Sequence, residues 1–331
     1  MSIALGGIDI GGTKCAVVIG ELCDETIRII GKVQYPTPST PEEAMQSFAS
    51  NLQLLMQQHH IASLSAIGIS CGSPLDSKRG LILSPPNLPH WNRIDVFTPL
   101  QQTFGVPVFL QNDANACALA EWKQGAGRGS ANMLFLTFGT GMGAGLILNG
   151  RLYTGTNDMA GEVGHIRLEH DGPIGYGKNG SFEGFCSGGG IARLAQSMAQ
   201  QQLEAGTPPL FCRDMDQLDR ITAKSVAEAA QHGDPLAQEI YRIVGTKLGS
   251  GLAILIDLLN PEVIVIGSIY PRQRSILEPQ VMEQLAREAL PNSLAACRVV
   301  PAALGESVGD YASLFVAWNG LELRGDRKGE G

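Results

Sequence analysis

A few short stretches carry side chains able to do chemistry. In Asp9-Ile10-Gly11-Gly12-Thr13-Lys14, the glycine pair removes the Cβ atoms that would hold backbone amides away from an anion. Thr13 adds a hydroxyl, Lys14 a positive charge, and Asp9 a carboxylate able to hold Mg²⁺ directly or through water. A plain hairpin turn with an incidental lysine gives the same letters. Gly139-Thr140-Gly141-Met142-Gly143-Ala144-Gly145 is a second phosphate cradle by the same reasoning. It lacks the P-loop spacing, and a strand and an Asn149-Gly150 turn follow it where a dinucleotide fingerprint needs a helix. Alone it reads equally as a glycine-rich bulged hairpin. Two such turns in one chain favour a nucleotide held between lobes.

Asn112-Asp113 follows a strand pattern and precedes a helical one. Ligands of α/β sheets bind at the carboxyl ends of strands, so the Asp113 carboxylate is placed to accept a proton from a substrate hydroxyl. Taken alone, the pair is better read as a helix cap. Glu162-Val163-Gly164-His165 and, further on, Glu183 could hydrogen-bond several hydroxyls at once, which suits a polyol; surface solvation explains each of them singly. A metal competes, because His165, His170 and Asp171 are close in sequence. Zinc sites usually show Cys or His at tight spacing, and only Cys186 is nearby, so the polyol reading leads.

These residues need a frame. Ile3–Ile10 and Cys15–Ile19 flank Gly11-Gly12 as a hairpin. Met133–Phe138 and Ala144–Leu148 flank the second glycine turn, and Asn149-Gly150 predicts a type I′ turn into Arg151–Tyr153. Two similar openings suggest two lobes with a cleft between them. Thr40-Pro41-Glu42-Glu43 reads as a helix start with a capping box. Short strands are predicted at Ala66–Ser70, Pro107–Gln111 and Val263–Ile266. Helices are predicted at Ala114–Gln124, Ile191–Gln202, Ser225–His232, Pro235–Leu259, Val281–Leu290 and Asp310–Trp318, with an irregular glycine-rich stretch over Gly155–Gly190. Interleaved strands and helices make this an α/β protein. The lobe boundary is expected near Asn115: a smaller lobe of 1–115 plus 310–331 and a larger one of 116–309. The polar tail Arg324–Gly331 is expected to fray.

Composition bounds the function. The chain has 331 residues, a formal net charge of -8, 44% hydrophobic and 17% charged residues, as in a folded soluble protein with its own core. The acidic balance disfavours a nucleic-acid binder. Glycine is in excess, 41 of 331 or roughly 12% against ~7% on average. The seven cysteines are scattered without a C-x-x-C, which reads as buried thiols in a reducing cytoplasm. The start, MSIALGGIDIGG, lacks a basic n-region and a long apolar run, so no signal peptide and no membrane span are expected.

Taken together, the motifs resemble the ROK family (repressor, open reading frame, kinase) of sugar kinases, within the actin-like ATPase superfamily. In order they are Asp-x-Gly-Gly-Thr-Lys at 9–14, Gly-x-Pro at 72–74, Asn-Leu-Pro-x-Trp at 87–91 and Asn-Asp-Ala-Asn at 112–115. Gly-Thr-Gly-x-Gly at 139–143, Gly-Glu-x-Gly-His at 161–165 and Asn-Pro-Glu-Val-Ile-Val-Ile-Gly at 260–267 follow. The resemblance implies a two-lobed, ribonuclease H-like α/β fold with an interlobe cleft. It implies MgATP as phosphoryl donor and Asp113 as general base. Asp9, Gly11, Gly12, Thr13 and Lys14, with Gly139, Thr140, Gly141 and Gly143, would form the two ATP turns. Gly267 would lie on the adenosine side, although the family more often has a second glycine at position 268. Gly72, Asn87, Asn112, Glu162, His165 and Glu183 would meet the sugar. Many members hold a structural zinc through the His of Glu-x-Gly-His and three cysteines. Here Ile174, Tyr176 and Ser181 stand at those three positions, so no zinc is expected.

The leading expectation is phosphorylation of the 6-hydroxyl of a glucose-type hexose, with N-acetylglucosamine or N-acetylmannosamine as alternative acceptors. A catalytically silent sugar-binding or regulatory protein is a remoter alternative. Repressor relatives carry a DNA-binding domain ahead of the lobes, and with Asp9 so near the start that reading is disfavoured. Sugar and ATP are the expected partners, with no nucleic acid and no membrane. The resemblance implies a homodimer or homotetramer in the cytoplasm.

Overall fold

The computed structural model describes residues 3–329, with side chains described through residue 325. The chain runs β1 (Ile3–Ile10), β2 (Lys14–Cys23), β3 (Thr26–Pro36), α1 (Pro41–Gln58), β4 (Ala66–Cys71), β5 (Leu75–Asp76), β6 (Leu81–Leu83), β7 (Asn92–Asp95), α2 (Phe97–Phe104), β8 (Val108–Asn112) and α3 (Asp113–Gln124). It continues through β9 (Met133–Phe138), β10 (Met142–Leu148), β11 (Arg151–Tyr153), β12 (Ile174–Gly175), β13 (Lys178–Asn179), α4 (Phe182–Phe185), α5 (Gly188–Glu204), α6 (Ala223–Gln231) and α7 (Pro235–Leu259). It closes with β14 (Val263–Ile266), α8 (Ile269–Arg272), α9 (Arg274–Glu288), α10 (Pro291–Ala296), β15 (Arg298–Pro301) and α11 (Val308–Gly329). Two compact units result. The first holds residues up to Ala131, Gly145–Ala160 and everything from Ala303; the second holds Asn132–Ala144 and Gly161–Ala302.

The first unit is built on a sheet of order β3-β2-β1-β4-β8. β1 and β2 are antiparallel, with Ile10 opposite Cys15, so residues 11–14 form the expected hairpin turn. β4 and β8 run parallel to β1, with Ile10 beside Cys71 and Cys71 beside Asn112. Parallel register therefore brings three carboxyl ends to one edge, and each is followed by a residue the sequence singled out: Gly11, Gly72 and Asp113. One sheet face is covered by α1, whose Ala44, Phe48, Leu52 and Leu55 are buried at helical spacing. Thr40 caps α1 by accepting the Glu43 amide at 3.2 Å.

The other face meets α11, and glycines permit the approach. A Cβ on Gly68 would lie 2.0 Å from the Ser313 carbonyl oxygen, and one on Gly7 2.4 Å from Ser313 Oγ. α3 packs along α11. The buried Glu121 of α3 accepts the amides of Ala126, Ala303 and Leu304 at 2.8, 3.1 and 2.8 Å, tying α3 to the segment leading into α11. These contacts keep α3 in the first unit, whose break in sequence comes after Ala131 and not near Asn115. α11 is helical through Gly329, where a frayed tail was expected from Arg324: Leu321, Glu322, Leu323 and Arg324 are all strong helix formers. Residues 330 and 331 lie outside the described residues. Asn149 and Gly150 have φ of 52° and 70°, the backbone of the expected type I′ turn between β10 and β11.

In the second unit β9, β14 and β15 are parallel, with the start of β10 next to β9. The stretch expected to be irregular contains the β12–β13 hairpin and α4. α9 starts at Arg274, ahead of the expected Val281, and carries Pro279 inside. α7 and α9 pack where a Cβ on Gly245 or Gly249 would come within 2.8 or 2.6 Å of Gln280 or Gln284. No helix among the described residues is long and apolar enough to cross a membrane.

Candidate active site

In the first unit, Asp113 is the first residue of α3, at the end of β8. The cap is made by its neighbour: Asn112 Oδ1 accepts the Asn115 amide at 2.7 Å, and its amide group faces Ser73 Oγ at 3.4 Å. Asp113 Oδ1 accepts the adjacent Ala114 amide at 2.8 Å. The Asp113 side chain is open to solvent on one side but flanked closely by protein. Desolvation raises its pKa, and the Ala114 amide offsets part of that. Asp9 lies on β1 beside Ser70 of β4. Its carboxyl is pushed up to about 6, first by burial, then by the charges of Asp113 and Asp310, while a hydrogen bond from Ser70 and the charge of Lys14 pull it down. Burial, followed by the Asp113 and Asp9 charges, also raises the thiols of Cys71 and Cys117, so both stay neutral.

The turn 11–14 is closed by the Gly11 amide donating to the Lys14 carbonyl at 3.2 Å. Thr37, which the sequence did not single out, supports it: Thr37 Oγ1 donates to the Gly11 carbonyl at 2.6 Å and its amide to the Thr13 carbonyl at 3.1 Å. Gly12, Thr13 and Lys14 are exposed, as is Asn87. A Cβ on Gly12 would lie 2.5 Å from the Asn87 carbonyl oxygen, so the turn 11–14 passes close against the Asn87 backbone. Among the described residues, nothing beyond its chain neighbours lies within 4 Å of where a Cβ on Gly72 would stand.

The second unit brings its own predicted residues together around the turn 139–143. The Gly188 amide donates to the Gly139 carbonyl at 2.7 Å, the Gly143 amide to Thr137 Oγ1 at 3.0 Å, and the Met142 amide to Glu183 Oε2 at 3.0 Å. Thr140 is exposed, and Gly141 and Gly143 are half-buried. Glu162 precedes and His165 ends a 3-10 turn, Val163–His165, whose Gly164 lies against the Met142 carbonyl, where a Cβ would come within 2.3 Å. Gly267 is buried, and Ser268 has φ 63° and ψ -105°, a backbone that suits glycine far better than serine. A pocket of ≈ 870 Å³ opens beside Gly139, Thr140, Gly188, Ser268, Ile269 and Arg272.

The residues at the expected zinc position do not fit that metal. Ile174 has no donor atom, and the Ser181 hydroxyl caps α4 by accepting the Gly184 amide at 3.0 Å. Tyr176 presents its ring to His165 edge-on, with centroids 5.1 Å apart. Lys178 Nζ donates to the His165 carbonyl at 2.6 Å. Mg²⁺ is a different case, since it keeps several waters and uses one or two carboxylates plus phosphates. Asp9, an acid held near another acid and supported by Ser70, fits that need. Thr37, Ser70 and Lys178 could have been found only from register and turn geometry; no motif in the sequence marks them.

The α/β frame presents glycine turns at its strand ends. The chain belongs to the ROK family, whose model matches residues 5–314. It is similar to the glucokinase of Streptomyces coelicolor, 34% identical over 262 residues, which is 79% of this chain and 80% of that one. It is also similar to the glucokinase of Halalkalibacterium halodurans, 33% identical over 309 residues, 92% and 91% of the two chains. The Escherichia coli transcriptional regulator NagC is 28% identical over 278 residues, 81% of this chain and 65% of that one. Among solved structures, a ROK glucokinase from Streptomyces griseus in complex with glucose and AMPPNP matches with a TM-score of 0.74, at 29% identity over 96% of this chain and 99% of that one. The fold is thus the actin-like ATPase fold of the ROK kinases, as the sequence implied.

Proposed function

We propose that this chain is an ATP-dependent sugar kinase that transfers the γ-phosphoryl group of MgATP to the 6-hydroxyl of a hexose, with glucose-type hexoses as the first acceptors. The observation that carries this reading is the parallel register of β1, β4 and β8. It sets Asp113 beside a glycine turn while Asn112 takes over the cap. The glucokinase relatives support the same reading.

In this mechanism Asp113 accepts the proton of the sugar hydroxyl as its oxygen attacks phosphorus and the bond to the ADP leaving group breaks. A carboxylate raised by desolvation is a better base than an ordinary one. Gly11, Gly12, Thr13 and Lys14 of the first unit, and Gly139, Thr140, Gly141 and Gly143 of the second, direct amides and charge at the phosphates. Asp9 would hold Mg²⁺, which when bound supplies positive charge against the triphosphate. Gly267 and the pocket beside Ser268 take the adenosine. Gly72, Asn87, Asn112, Glu162, His165 and Glu183 orient the sugar hydroxyls. His165 is held for that task by Tyr176 and Lys178 in place of a zinc. N-acetylglucosamine and N-acetylmannosamine are the alternative acceptors.

The test is a phosphorylation screen of the purified chain with MgATP over glucose, mannose, galactose, fructose and the N-acetylated hexosamines, with ³¹P–¹H correlation of the product. The expected product is a hexose 6-phosphate. Absence of transfer to every sugar, with sugar binding retained, would favour a silent regulatory protein instead.

A further inference from the structure

Glu183 is assigned above to the sugar, yet one of its oxygens is already engaged with the other substrate's turn. Oε2 accepts the Met142 amide at 3.0 Å, and a Cβ on Gly141 would stand 2.9 Å from the same oxygen. Met142 is the fourth residue of the turn 139–143 and the first of β10. Its carbonyl faces Gly164, where a Cβ would come within 2.3 Å, and that same Cβ would be 3.2 Å from Glu183 Cβ. The Met142 peptide is therefore clasped between the segment carrying His165 and the side chain of Glu183. Glu183 is itself fixed: it sits in α4, which is capped by Ser181, and its backbone carbonyl lies where a Cβ on Gly190 would come within 2.7 Å.

We propose that Glu183 is a positioning residue for the phosphate turn 139–143 as well as a sugar ligand, so that a single carboxylate couples the two substrates. This rests on the kinase reading. Oε2 holds the Met142 amide and with it the direction of the neighbouring amides, while Oε1 remains for a sugar hydroxyl. A sugar that fixes the Glu183 side chain fixes the turn. By linkage, a nucleotide that orders the turn fixes Glu183 for the sugar. A charged acceptor makes a stronger bond to a backbone amide than a neutral one, which explains a carboxylate at a place where sugar contact alone would be served by an amide.

The experiment measures AMPPNP affinity in the absence of any sugar, where a residue that serves only the sugar has no effect. Glu183→Ala removes the acceptor, Glu183→Asp keeps the charge but shortens the reach by one methylene, and Glu183→Gln keeps an acceptor at the same reach. We expect Ala and Asp to weaken AMPPNP about 3–10-fold, the scale of one net hydrogen bond that orders a turn, and Gln, which keeps the acceptor without its charge, to fall between Ala and wild type. Sugar-free AMPPNP affinity unchanged in both Ala and Asp variants overturns the proposal, and so does Gln weakened as much as Ala. Asp also serves where Ala does not fold. Wild-type protein that transfers phosphate to a sugar while these variants bind AMPPNP normally would leave the kinase reading standing and remove only this inference.

Discussion

Asn112 Oδ1 accepts the amide of Asn115 at 2.7 Å, and this bond releases the next residue, Asp113, from the capping duty that an Asn-Asp pair ordinarily shares. Asn112→Ala should destabilise the protein by about 1 kcal/mol, the usual effect of losing a side-chain cap. Asn112→Asp, which restores an acceptor, should unfold within a few degrees of wild type. Thermal or urea unfolding of both variants checks this. Equal losses in the two would show that the cap is not what Asn112 contributes.

Asp9 should show a pH signature in both activity and stability. Its carboxyl titrates at about 6 against an ordinary 3.8. The folded state therefore binds more protons than the unfolded one between those values, and stability falls as pH rises through that window. At pH 7 the ionised acid opposes folding by up to about 3 kcal/mol, from ~1.4 kcal/mol for each unit. Asp9→Asn should thus be more stable than wild type at pH 7 and lose that advantage by about pH 4. Its turnover should collapse, because the ionised form is the one that assists the triphosphate. The wild-type kcat/KM for MgATP, which reports the free enzyme, should fall on acidification through about pH 6. Unfolding curves at several pH values, with rates alongside, decide it.

Gly12 and Gly11 are adjacent but should fail differently. A Cβ on Gly12 would strike the Asn87 backbone at 2.5 Å, whereas one on Gly11 would meet Lys14 of its own turn at 2.7 Å. Gly12→Ala should weaken equilibrium sugar binding without nucleotide, by about 3–10-fold, since a close backbone approach has no room for a methyl group. Gly11→Ala should leave sugar affinity near wild type and weaken AMPPNP. Calorimetric titration of each variant with each ligand separates them.

Much of the frame was legible because its signals are local. The hairpin around Gly11-Gly12, the type I′ turn at Asn149-Gly150, and the strands Met133–Phe138 and Val263–Ile266 follow from alternation and turn chemistry alone. The glycine turns stood out because few residue types allow such tight turns, and Asp113 stood out through the motif resemblance. What was not legible depends on partners distant in sequence. Gly68 is glycine because α11 passes over it. Glu121 is a buried acid because its amide partners include Ala303 and Leu304, far along the chain. The helix of α9 runs through Pro279, a residue that locally argues for a break. Asn112 illustrates the limit most directly: the sequence offered the Asn112-Asp113 pair as a cap without saying which of the two makes it, and the geometry puts the cap on Asn112.

Loss of the zinc donors predicts a metal-independent loop. Purified protein should carry no stoichiometric zinc by plasma mass spectrometry, and dialysis against EDTA should leave its unfolding temperature unchanged in the absence of Mg²⁺. Tyr176→Ala and Lys178→Ala should then lower sugar affinity, because they remove the groups that hold His165. A tightly held zinc in the purified chain would contradict this.

The central claim is that the Asp113 carboxylate takes the proton of the sugar hydroxyl. The direct measurement is single-turnover transfer from MgATP to the best acceptor in wild type and in Asp113→Asn, with sugar affinity measured by equilibrium titration on the same samples. The account predicts transfer slowed by about 10²–10⁴-fold, the usual scale of a lost general base, with sugar affinity changed by no more than about 3-fold. Near-wild-type transfer by Asp113→Asn would contradict it.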